Sequence, residues 1–484
     1  MPLSLRIKIR LIISVYFLLS PDLLVASMKA NNCINHQSQE MALKKSAKAY
    51  VTPEILFARA APDRHSRVIS MLTRGKVLSE LDEAKVFDKD HLWTKVSWLD
   101  SANRIQSAWV DRNYISSDPL AHLNETSHLK DIDFAFSEKA CVHKENPRRK
   151  VRGIYLTMYS AMVRNLDRFL ELANRTSINS FVVDYKDERG KVLFKSKTVD
   201  SMHPKEAKRV LMKNPKTLPD RTKLENIYLI GKLVVFKDNS FARSNPNLAL
   251  KNRDGTIFED RDGIAWVNPH ERQYWEYVLG IAEEMARSGV NEIQFDYIRF
   301  PDTNKPLQLT KTQRVNRIKV IHEFLKEAYQ RLKPYGVYVS ADVFGLVPNT
   351  NGDLYIGQHW ESLSSVVDYI SPMMYPSHYA RGFGSIKHPD KEPYKTIYRS
   401  ARPAVSRSKK LKYPATIRPW IQGFTATWLG SHSNYGPQEL QAQIDALNDL
   451  GIDEYLIWNP QSRYKNLLKE KQTLSIDVAD TTGN

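Results

Sequence analysis

Cysteine is scarce in this chain, which has only Cys33 and Cys141 among 484 residues, and neither belongs to a CxxC pair. This scarcity excludes a disulfide-rich scaffold and a cysteine-based zinc site. No histidine pair has zinc spacing, and the acidic loop at 252–263 lacks the full calcium-loop pattern. We therefore expect no metal ion and no cofactor. The two cysteines could pair in an oxidising compartment or remain thiols, and the sequence leaves both alternatives open.

Several catalytic and nucleic-acid-binding motifs are also missing. The sequence contains no G-x-S-x-G elbow, no phosphate-binding loop and no dinucleotide fingerprint. Its formal net charge is +17, but the excess is spread along the chain without a zinc-finger or RNA-binding pattern. We therefore expect no nucleic-acid partner. The positive charge is consistent with two alternatives, an anionic polymer as the partner or a generally basic, solvated surface.

Long apolar runs are absent except at the N-terminus. Arg6, Lys8 and Arg10 precede an apolar run at 11–19, and the small residue Ser27 follows it. This pattern is typical of a secretory signal peptide, here residues 1–27, with an uncleaved membrane anchor as the alternative. Pro21 interrupts the run and argues against a full span of about 20 residues. We expect an exported protein, periplasmic or extracellular, without a stable transmembrane segment after cleavage.

The next segment has the composition of a small all-β barrel. Residues 28–48 are polar and are predicted to be a flexible lead, whereas residues 49–117 hold short β-branched and apolar runs separated by turn signals. These runs are Ala49–Val51, Val68–Leu72, Lys76–Leu81, Leu92–Trp98 and Ser107–Val110.

Several strings of this segment resemble a bacterial SH3-like domain. They are Leu56–Pro62, Val68-Ile69, Gly75, Trp93–Val96, Ala108-Trp109-Val110 and Tyr114-Ile115. The resemblance implies a cell-wall peptide or another surface ligand, and a spacer barrel without a ligand is the alternative. Residues 118–149 are polar and charged and are predicted to be a linker.

From residue 150 the pattern changes to that of an α/β fold. Eight short apolar runs alternate with longer amphipathic stretches over residues 150–465, which predicts a (β/α)₈ TIM barrel as a single domain. Residues 466–484 turn polar and are predicted to be a tail. The predicted strands are Gly153–Met158, Ser180–Tyr185, Ile227–Phe236, Glu292–Arg299, Val337–Val343, Tyr369–Tyr375, Thr416–Phe424 and Glu454–Asn459.

Two aspartates are candidate catalytic residues because they end neighbouring predicted strands. Reacting groups of such barrels lie at the carboxyl ends of the strands, and side chains along a strand alternate in direction. By this alternation Asp296 points toward the barrel axis with Gln294, and Asp342 does so with Ser340. A pair of inward carboxyl groups is what glycosidic hydrolysis needs, one protonated and the other ionised. The alternatives are a buried Asp296 paired with Arg299, and an Asp342 that caps a loop or positions Asp296.

Further residues at strand ends are candidates for substrate binding. Carboxylates bind sugar hydroxyls, and aromatic rings offer flat apolar faces to sugar rings. For the tryptophans, packing within the barrel is the alternative. The candidate substrate-binding residues are Asp184, Tyr375, Trp420, Gln422 and Trp458.

The strings around these residues resemble a bacterial family of glycosyl-hydrolase domains over about residues 150–465. The strings are Val151–Tyr155, Val182–Asp187, Trp266–Pro269, Gln294–Pro301, Ser340–Gly345, Tyr369–Pro376, Arg418–Gln422 and Trp458–Pro460. The resemblance implies hydrolysis of glycosidic bonds, and its likeness to barrels with a catalytic aspartate on the fourth strand supports Asp296 more than Asp342. The substrate expected for an exported enzyme of this kind is an extracellular or cell-envelope polysaccharide. The alternatives are a non-catalytic glycan- or cell-wall-binding protein, and a transglycosylase or lyase.

Overall fold

The computed structural model describes residues 48–470 except 54, 74, 82–85, 89–90, 101–103, 118–128, 130–131, 133, 135, 137–138, 140–141 and 304, and these residues divide into two compact units. The predicted signal peptide, both cysteines (Cys33 and Cys141) and most of the predicted lead and tail lie outside the described residues. The predictions made for these residues are therefore not tested by the structure.

The N-terminal sheet has the strand order β3-β2-β7-β6-β4-β1-β8, and β5 pairs with β6. Its all-β content agrees with the sequence pattern, and each of the five predicted runs falls at a strand. The strands β2, β5 and β8 were not predicted. The likeness to an SH3-like domain stays a prediction. The bounds are β1 Lys48–Val51, β2 Ile55–Arg59, β3 Val68–Thr73, β4 Val77–Glu80, β5 Val86–Asp88, β6 His91–Leu99, β7 Ile105–Asp111 and β8 Ile115–Ser116.

The second unit is a closed parallel barrel, as predicted. Neighbouring strands pair in the order β13-β12-β11-β10-β9-β17-β16-β14, and β13 pairs with β14 to close the ring. The seventh position consists of two short strands, because Pro419 lies between them and has no backbone N–H to donate. The bounds are β9 Arg152–Leu156, β10 Ser180–Lys186, β11 Tyr228–Val234, β12 Glu292–Asp296, β13 Tyr338–Phe344, β14 Tyr369–Met374, β15 Thr416–Ile417, β16 Trp420–Gln422 and β17 Tyr455–Trp458.

Helices alternate with the barrel strands, and they lie where the sequence has amphipathic stretches. The amphipathic stretch at 310–332 forms two helices, which divide at Asn316 where the backbone leaves the helical region. Its first part begins with a capping box in which Thr310 and Gln313 bond each other's backbone N–H groups. The bounds are α1 Val163–Arg175, α2 Lys197–Met202, α3 Pro204–Ala207, α4 Thr217–Leu224, α5 Asn239–Ser244, α6 Arg272–Ser288, α7 Lys311–Val315, α8 Arg317–Leu332, α9 Trp360–Ser364, α10 Pro393–Ser408 and α11 Pro437–Asn448.

Two separate apolar clusters confirm the predicted alternation along the strands. Ile293 and Phe295 belong to the cluster between the sheet and the helices. Val182, Ile230 and Trp420 belong to a second cluster inside the barrel. Side chains in phase with Val182 and Ile230, including those of the strand-end aspartates, therefore point toward the barrel axis.

The amino-terminal end of the barrel interior is filled by a buried ionic cluster. Arg418 contacts Glu292 at 2.8 Å and Glu454 at 2.9 Å, and its guanidinium carbon lies 3.5 Å from the ring centre of Tyr369. Tyr228 donates a hydrogen bond to Glu292 at 3.0 Å. Because each charge has a partner, this end is a packed layer, and it leaves the carboxyl end of the strands as the face for chemistry.

The end of the predicted linker packs against the barrel unit. Arg148 forms an ion pair of 2.8 Å with Asp368, and Lys139 donates hydrogen bonds to the carbonyl oxygens of Ser364 and Tyr413.

Among the helices of the described residues, none is both long enough and apolar enough to cross a membrane.

Candidate active site

Four charged side chains project from the carboxyl ends of four adjacent strands. Asp184 lies on β10, Lys232 on β11, Asp296 at the end of β12 and Asp342 on β13. Strand pairing sets Asp184 beside Lys232. All four are buried. Such a group of buried charges is stable only where the members neutralise one another.

Lys232 joins two of the carboxylates. Its Nζ lies 2.9 Å from Asp184 Oδ1 and 3.0 Å from Asp296 Oδ2. Burial acts to lower the pKa of Lys232, but the charges of the two aspartates outweigh it and raise that pKa well above its usual value. The ammonium group therefore stays charged at neutral pH, and it stabilises the ionised forms of Asp184 and Asp296.

Asp296 is held by its own backbone as well as by Lys232. The N–H of Tyr297 donates to Asp296 Oδ1 at 2.7 Å. Tyr297 itself has a left-handed backbone with φ of 51°, which is unfavourable for a bulky residue. Arg299, the alternative partner of Asp296, instead donates to the carbonyl oxygen of Phe300. Asp296 is therefore fixed as a carboxylate that faces the site.

Asp342 has a different environment. It is 2% exposed, and the indole N–H of Trp420 donates to its Oδ1 at 2.7 Å. Burial raises the pKa of Asp342 well above its usual range, the charge of Asp296 raises it further, and Lys232 and Trp420 oppose the rise. Asp342 thus has a raised pKa, whereas Asp296 on the neighbouring strand contacts an ammonium group and a backbone N–H.

Asp184 and two aromatic rings line the adjoining wall. Tyr155 on β9 donates a short hydrogen bond to Asp184, and its ring lies 4.1 Å from that of Trp458, centre to centre. Burial raises the pKa of Asp184, against the opposing effects of Lys232 and Tyr155. Trp458 is half-buried and Trp420 is 1% exposed. Trp458 therefore has ring surface for a ligand, whereas Trp420 contacts the site through its bond to Asp342.

Tyr375 and Gln422 complete the set of predicted residues. Tyr375 follows β14 and belongs to the apolar cluster inside the barrel. Burial raises the pKa of its phenol, with Asp342 and Asp296 adding to the rise, so the hydroxyl stays neutral. Gln422 accepts from the N–H of Ser377 at 2.9 Å and donates to Asp390 at 3.1 Å. Its amide thus joins β16 to the segment that follows β14, and the structure does not direct it at the catalytic candidates.

Lys232 and Tyr155 are site residues that the sequence analysis missed. Both were detectable. Lys232 is the one charged residue in the apolar run 227–236, and it has the inward phase of Ile230. Tyr155 stands in the first predicted strand with the same alternation. A charged side chain inside an apolar strand is costly unless it has a partner, so such a lysine predicts a buried carboxylate nearby.

The acidic loop after β11 forms turns, and its carboxylates accept hydrogen bonds from backbone N–H groups of the loop and from a lysine. Asp260 accepts from Lys237 at 2.9 Å and from the indole N–H of Trp266 at 3.1 Å. In the part of the chain that the structure describes, no group of three or more histidine, cysteine, aspartate or glutamate side chains is arranged to hold a metal ion. The absence of a metal and of a cofactor stays a prediction.

The bond from Trp420 gives a direct test of the environment of Asp342. In Trp420→Phe the N–H that stabilises the ionised carboxyl is lost, so the pKa of Asp342 is expected to rise further. The carboxyl ¹³C shifts of aspartate-labelled protein, assigned with Asp342→Asn, measure this pKa without any substrate. Trp458→Phe removes an indole of the same wall that does not bond Asp342, and it should leave the titration of Asp342 unchanged. An unchanged titration in Trp420→Phe would contradict the assigned hydrogen bond.

A closed parallel barrel with helices around it and buried carboxyl groups at the carboxyl ends of its strands is a TIM-barrel domain. Residues 153–464 match the family DUF4015, described as "Putative glycosyl hydrolase domain", and the chain belongs to this family. A search of curated proteins finds no match.

Solved structures with similar chains include three of different kinds. A hypothetical protein from Ruminiclostridium thermocellum is 35% identical, with 39% of this chain and 97% of that chain covered and a TM-score of 0.34. The PgaB (BpsB) glycoside hydrolase domain from Bordetella bronchiseptica is 13% identical, with 65% and 95% covered and a TM-score of 0.48. An α-galactosidase from Thermus thermophilus is 11% identical, with 87% and 85% covered and a TM-score of 0.41.

Proposed function

We propose that this protein hydrolyses glycosidic bonds of an extracellular or cell-envelope polysaccharide through Asp296 and Asp342. The observation that carries the proposal is the contrast between these two buried carboxyl groups. Lys232 and a backbone N–H stabilise the charge of Asp296, whereas burial and the charge of Asp296 raise the pKa of Asp342. A pair of carboxyl groups with divergent protonation is what an acid-assisted glycosidase requires.

The contrast also supports a role for each carboxyl group. Asp342 keeps its proton and gives it to the leaving glycosidic oxygen, which therefore departs as a neutral hydroxyl. Asp296, whose carboxyl group contacts Lys232, faces the anomeric carbon, either as the nucleophile or as the base that activates water. The anomeric configuration of the first product distinguishes these two roles, because a nucleophile gives retention and a base gives inversion.

The remaining polar groups of the wall suit the binding of one sugar ring. Asp184 accepts hydrogen bonds from hydroxyl groups, and it is oriented by Lys232 and Tyr155. Trp458 presents part of its ring surface beside them. Tyr375 offers a neutral phenol next to Asp342. Together these groups combine a flat apolar surface with hydrogen-bond partners, which is the chemistry of a pyranose.

Export and surface attachment belong to the same proposal and rest on the sequence. The basic and apolar N-terminal segment supports secretion, and the likeness of residues 49–117 to bacterial SH3-like domains supports a cell-wall ligand. The net charge of +17 favours an anionic envelope polymer over a neutral one.

Release of reducing sugar from a panel of polysaccharides tests the hydrolase. The panel contains bacterial surface polymers and α- and β-linked glucans, galactans and chitin derivatives, and the blank is the double variant Asp296→Asn/Asp342→Asn. Circular dichroism first establishes that both proteins are folded. We expect at least one polymer to be cleaved by the wild type and none by the double variant. Cleavage by both proteins would reject the site, and polymer binding without cleavage would favour the glycan-binding alternative.

A further inference from the structure

The loop between β16 and α11 exposes one large aromatic ring. Trp428 is 63% exposed, whereas the other eight tryptophans, all within the described residues, are buried or half-buried. A ring of this size loses hydrophobic stabilisation when it stays in water, so an isolated exposed tryptophan needs a structural or functional reason.

Packing holds this ring in one orientation. It stacks on Phe424 with ring centres 5.8 Å apart and an interplanar angle of 26°, and His378 meets it edge-on at 6.0 Å. Burial lowers the pKa of His378, so the imidazole that supports Trp428 is neutral near pH 7. This uncharged support leaves one face of the indole open to water. The Trp428 side chain would therefore lose little conformational freedom when a ligand binds to it.

The loop that carries the ring is also anchored. Asp390 accepts from the N–H of Ser433 at 2.8 Å, and its carbonyl oxygen accepts from the hydroxyl of Tyr435 at 3.0 Å. The N–H of Tyr435 donates to Thr425 at 3.0 Å across the loop. Trp428 is thus presented on a braced loop at the carboxyl end of a barrel strand.

The ring is continuous with the candidate active site. Tyr375 contacts His378 at 5.3 Å and Phe424 at 6.1 Å, centre to centre, and those two rings contact Trp428. Tyr375 in turn experiences the charges of Asp342 and Asp296. We call Tyr375, His378, Phe424 and Trp428 the aromatic ladder. It leads from the carboxyl groups to the protein surface between the neighbouring strands β14 and β16.

We propose that Trp428 is a stacking platform for a pyranose ring of a glycan chain, a subsite remote from the bond that is cleaved. The inference rests on the proposed function and adds that the substrate is a polymer whose chain leaves the barrel between β14 and β16. The axial C–H groups of a pyranose face pack on the indole without needing a charged partner. A single sugar cannot occupy both ends of the ladder, so the platform favours long chains over short ones.

Affinity electrophoresis tests the platform without depending on turnover. The probes are glycol chitin, hydroxyethyl cellulose, soluble starch, galactan and the bacterial polymers of the hydrolysis panel, cast in native gels. Every protein carries Asp296→Asn so that the probe stays intact. We expect at least one probe to retard this parent, and Trp428→Ala to weaken that binding about tenfold or more, whereas Trp428→Tyr keeps most of it.

Leu224→Ala is the matched control, because Leu224 is an apolar side chain 81% exposed at the end of α4, outside the ladder. It should bind like the parent. Equal binding by Trp428→Ala, or no retardation of the parent by any probe, would overturn the platform. A smaller native mass of Trp428→Ala in size-exclusion chromatography would overturn it in favour of a contact between copies of the chain.

The same polymers separate the platform from the hydrolase. Binding that depends on Trp428, with no cleavage by the wild type, would reject hydrolysis and keep the platform. Cleavage by the wild type, with binding that does not depend on Trp428, would keep the hydrolase and reject the platform.

Discussion

Asp296→Asn is expected to lower kcat on the cleaved polymer by about 10⁴-fold or more, as loss of a catalytic carboxylate does in other hydrolases. Asparagine has nearly the same shape and can still accept a hydrogen bond from Lys232, but it has no charge to stabilise the positive transition state and cannot act as nucleophile or base. Initial rates of reducing-sugar release measure the loss. Asp220→Asn, on an exposed position of α4, is the control and should retain wild-type turnover.

Asp342→Asn should behave differently from Asp296→Asn when the leaving group changes. An asparagine cannot donate the proton that a sugar hydroxyl needs in order to leave, whereas a p-nitrophenolate leaves without one. The variant should therefore lose most of its activity on the polymer and keep much more on the corresponding aryl glycoside. Its rate on that glycoside should also lose the alkaline limb of the pH profile, because that limb reports deprotonation of Asp342. Equal losses on both substrates would contradict the role of Asp342 as the acid and would favour Asp296 for that role instead.

Lys232→Met is expected to destabilise the protein by about 3–5 kcal/mol and to shift the pH profile of the remaining activity. The substitution leaves Asp184 and Asp296 buried without their shared cation. Because the ammonium lies 3.0 Å from Asp296 Oδ2 and its positive charge favours a neighbouring carboxylate, its loss should move the acidic limb to higher pH. The folded-state pKa of Lys232 is raised above its unfolded value of about 10.4, so its stabilising contribution is fully present at pH 7 and is lost only at more alkaline pH.

Lys186→Met separates the two effects of Lys232. Lys186 forms an equally buried ion pair of 2.8 Å with Asp238, which is not one of the catalytic carboxyl groups. Urea unfolding at pH 7 should show a similar loss of stability in both variants, but only Lys232→Met should move the acidic limb. An acidic limb that stays in place in Lys232→Met would show that the ammonium does not control the ionisation of Asp296.

The architecture of the barrel could be predicted because its strands are buried on both faces. Such strands appear as short apolar runs, and all eight runs agree with the observed strands to within a few residues at either end. The alternation rule also held, since Ile293 and Phe295 face the helices. In the N-terminal sheet β5 and β8 were missed because strands of three and two residues carry too few alternating positions to stand out, and β2 was missed although its five residues alternate.

The hydrogen bonds of the site were less predictable than its location. Alternation set Gln422 on the inward face, but its amide bonds Ser377 and Asp390, and a contact with the segment after another strand cannot be inferred from one strand. The bond from Trp420 to Asp342 joins residues on strands that are not neighbours in the sheet, so it depends on the closed barrel. The roles of the predicted site residues stay predictions until the variants are measured.

The left-handed backbone at Tyr297 sets a conflict between stability and chemistry. A bulky residue in this conformation stores about 1–3 kcal/mol of strain, and glycine would remove most of it. The ring of Tyr297, however, lies within 5.1 Å of Lys237 and 5.0 Å of Arg299, measured from the ring centre, and these contacts keep the peptide that holds Asp296 in place. Selection for heat resistance alone would favour glycine here. Tyrosine at this position therefore holds the peptide that binds Asp296 at a cost in thermal stability.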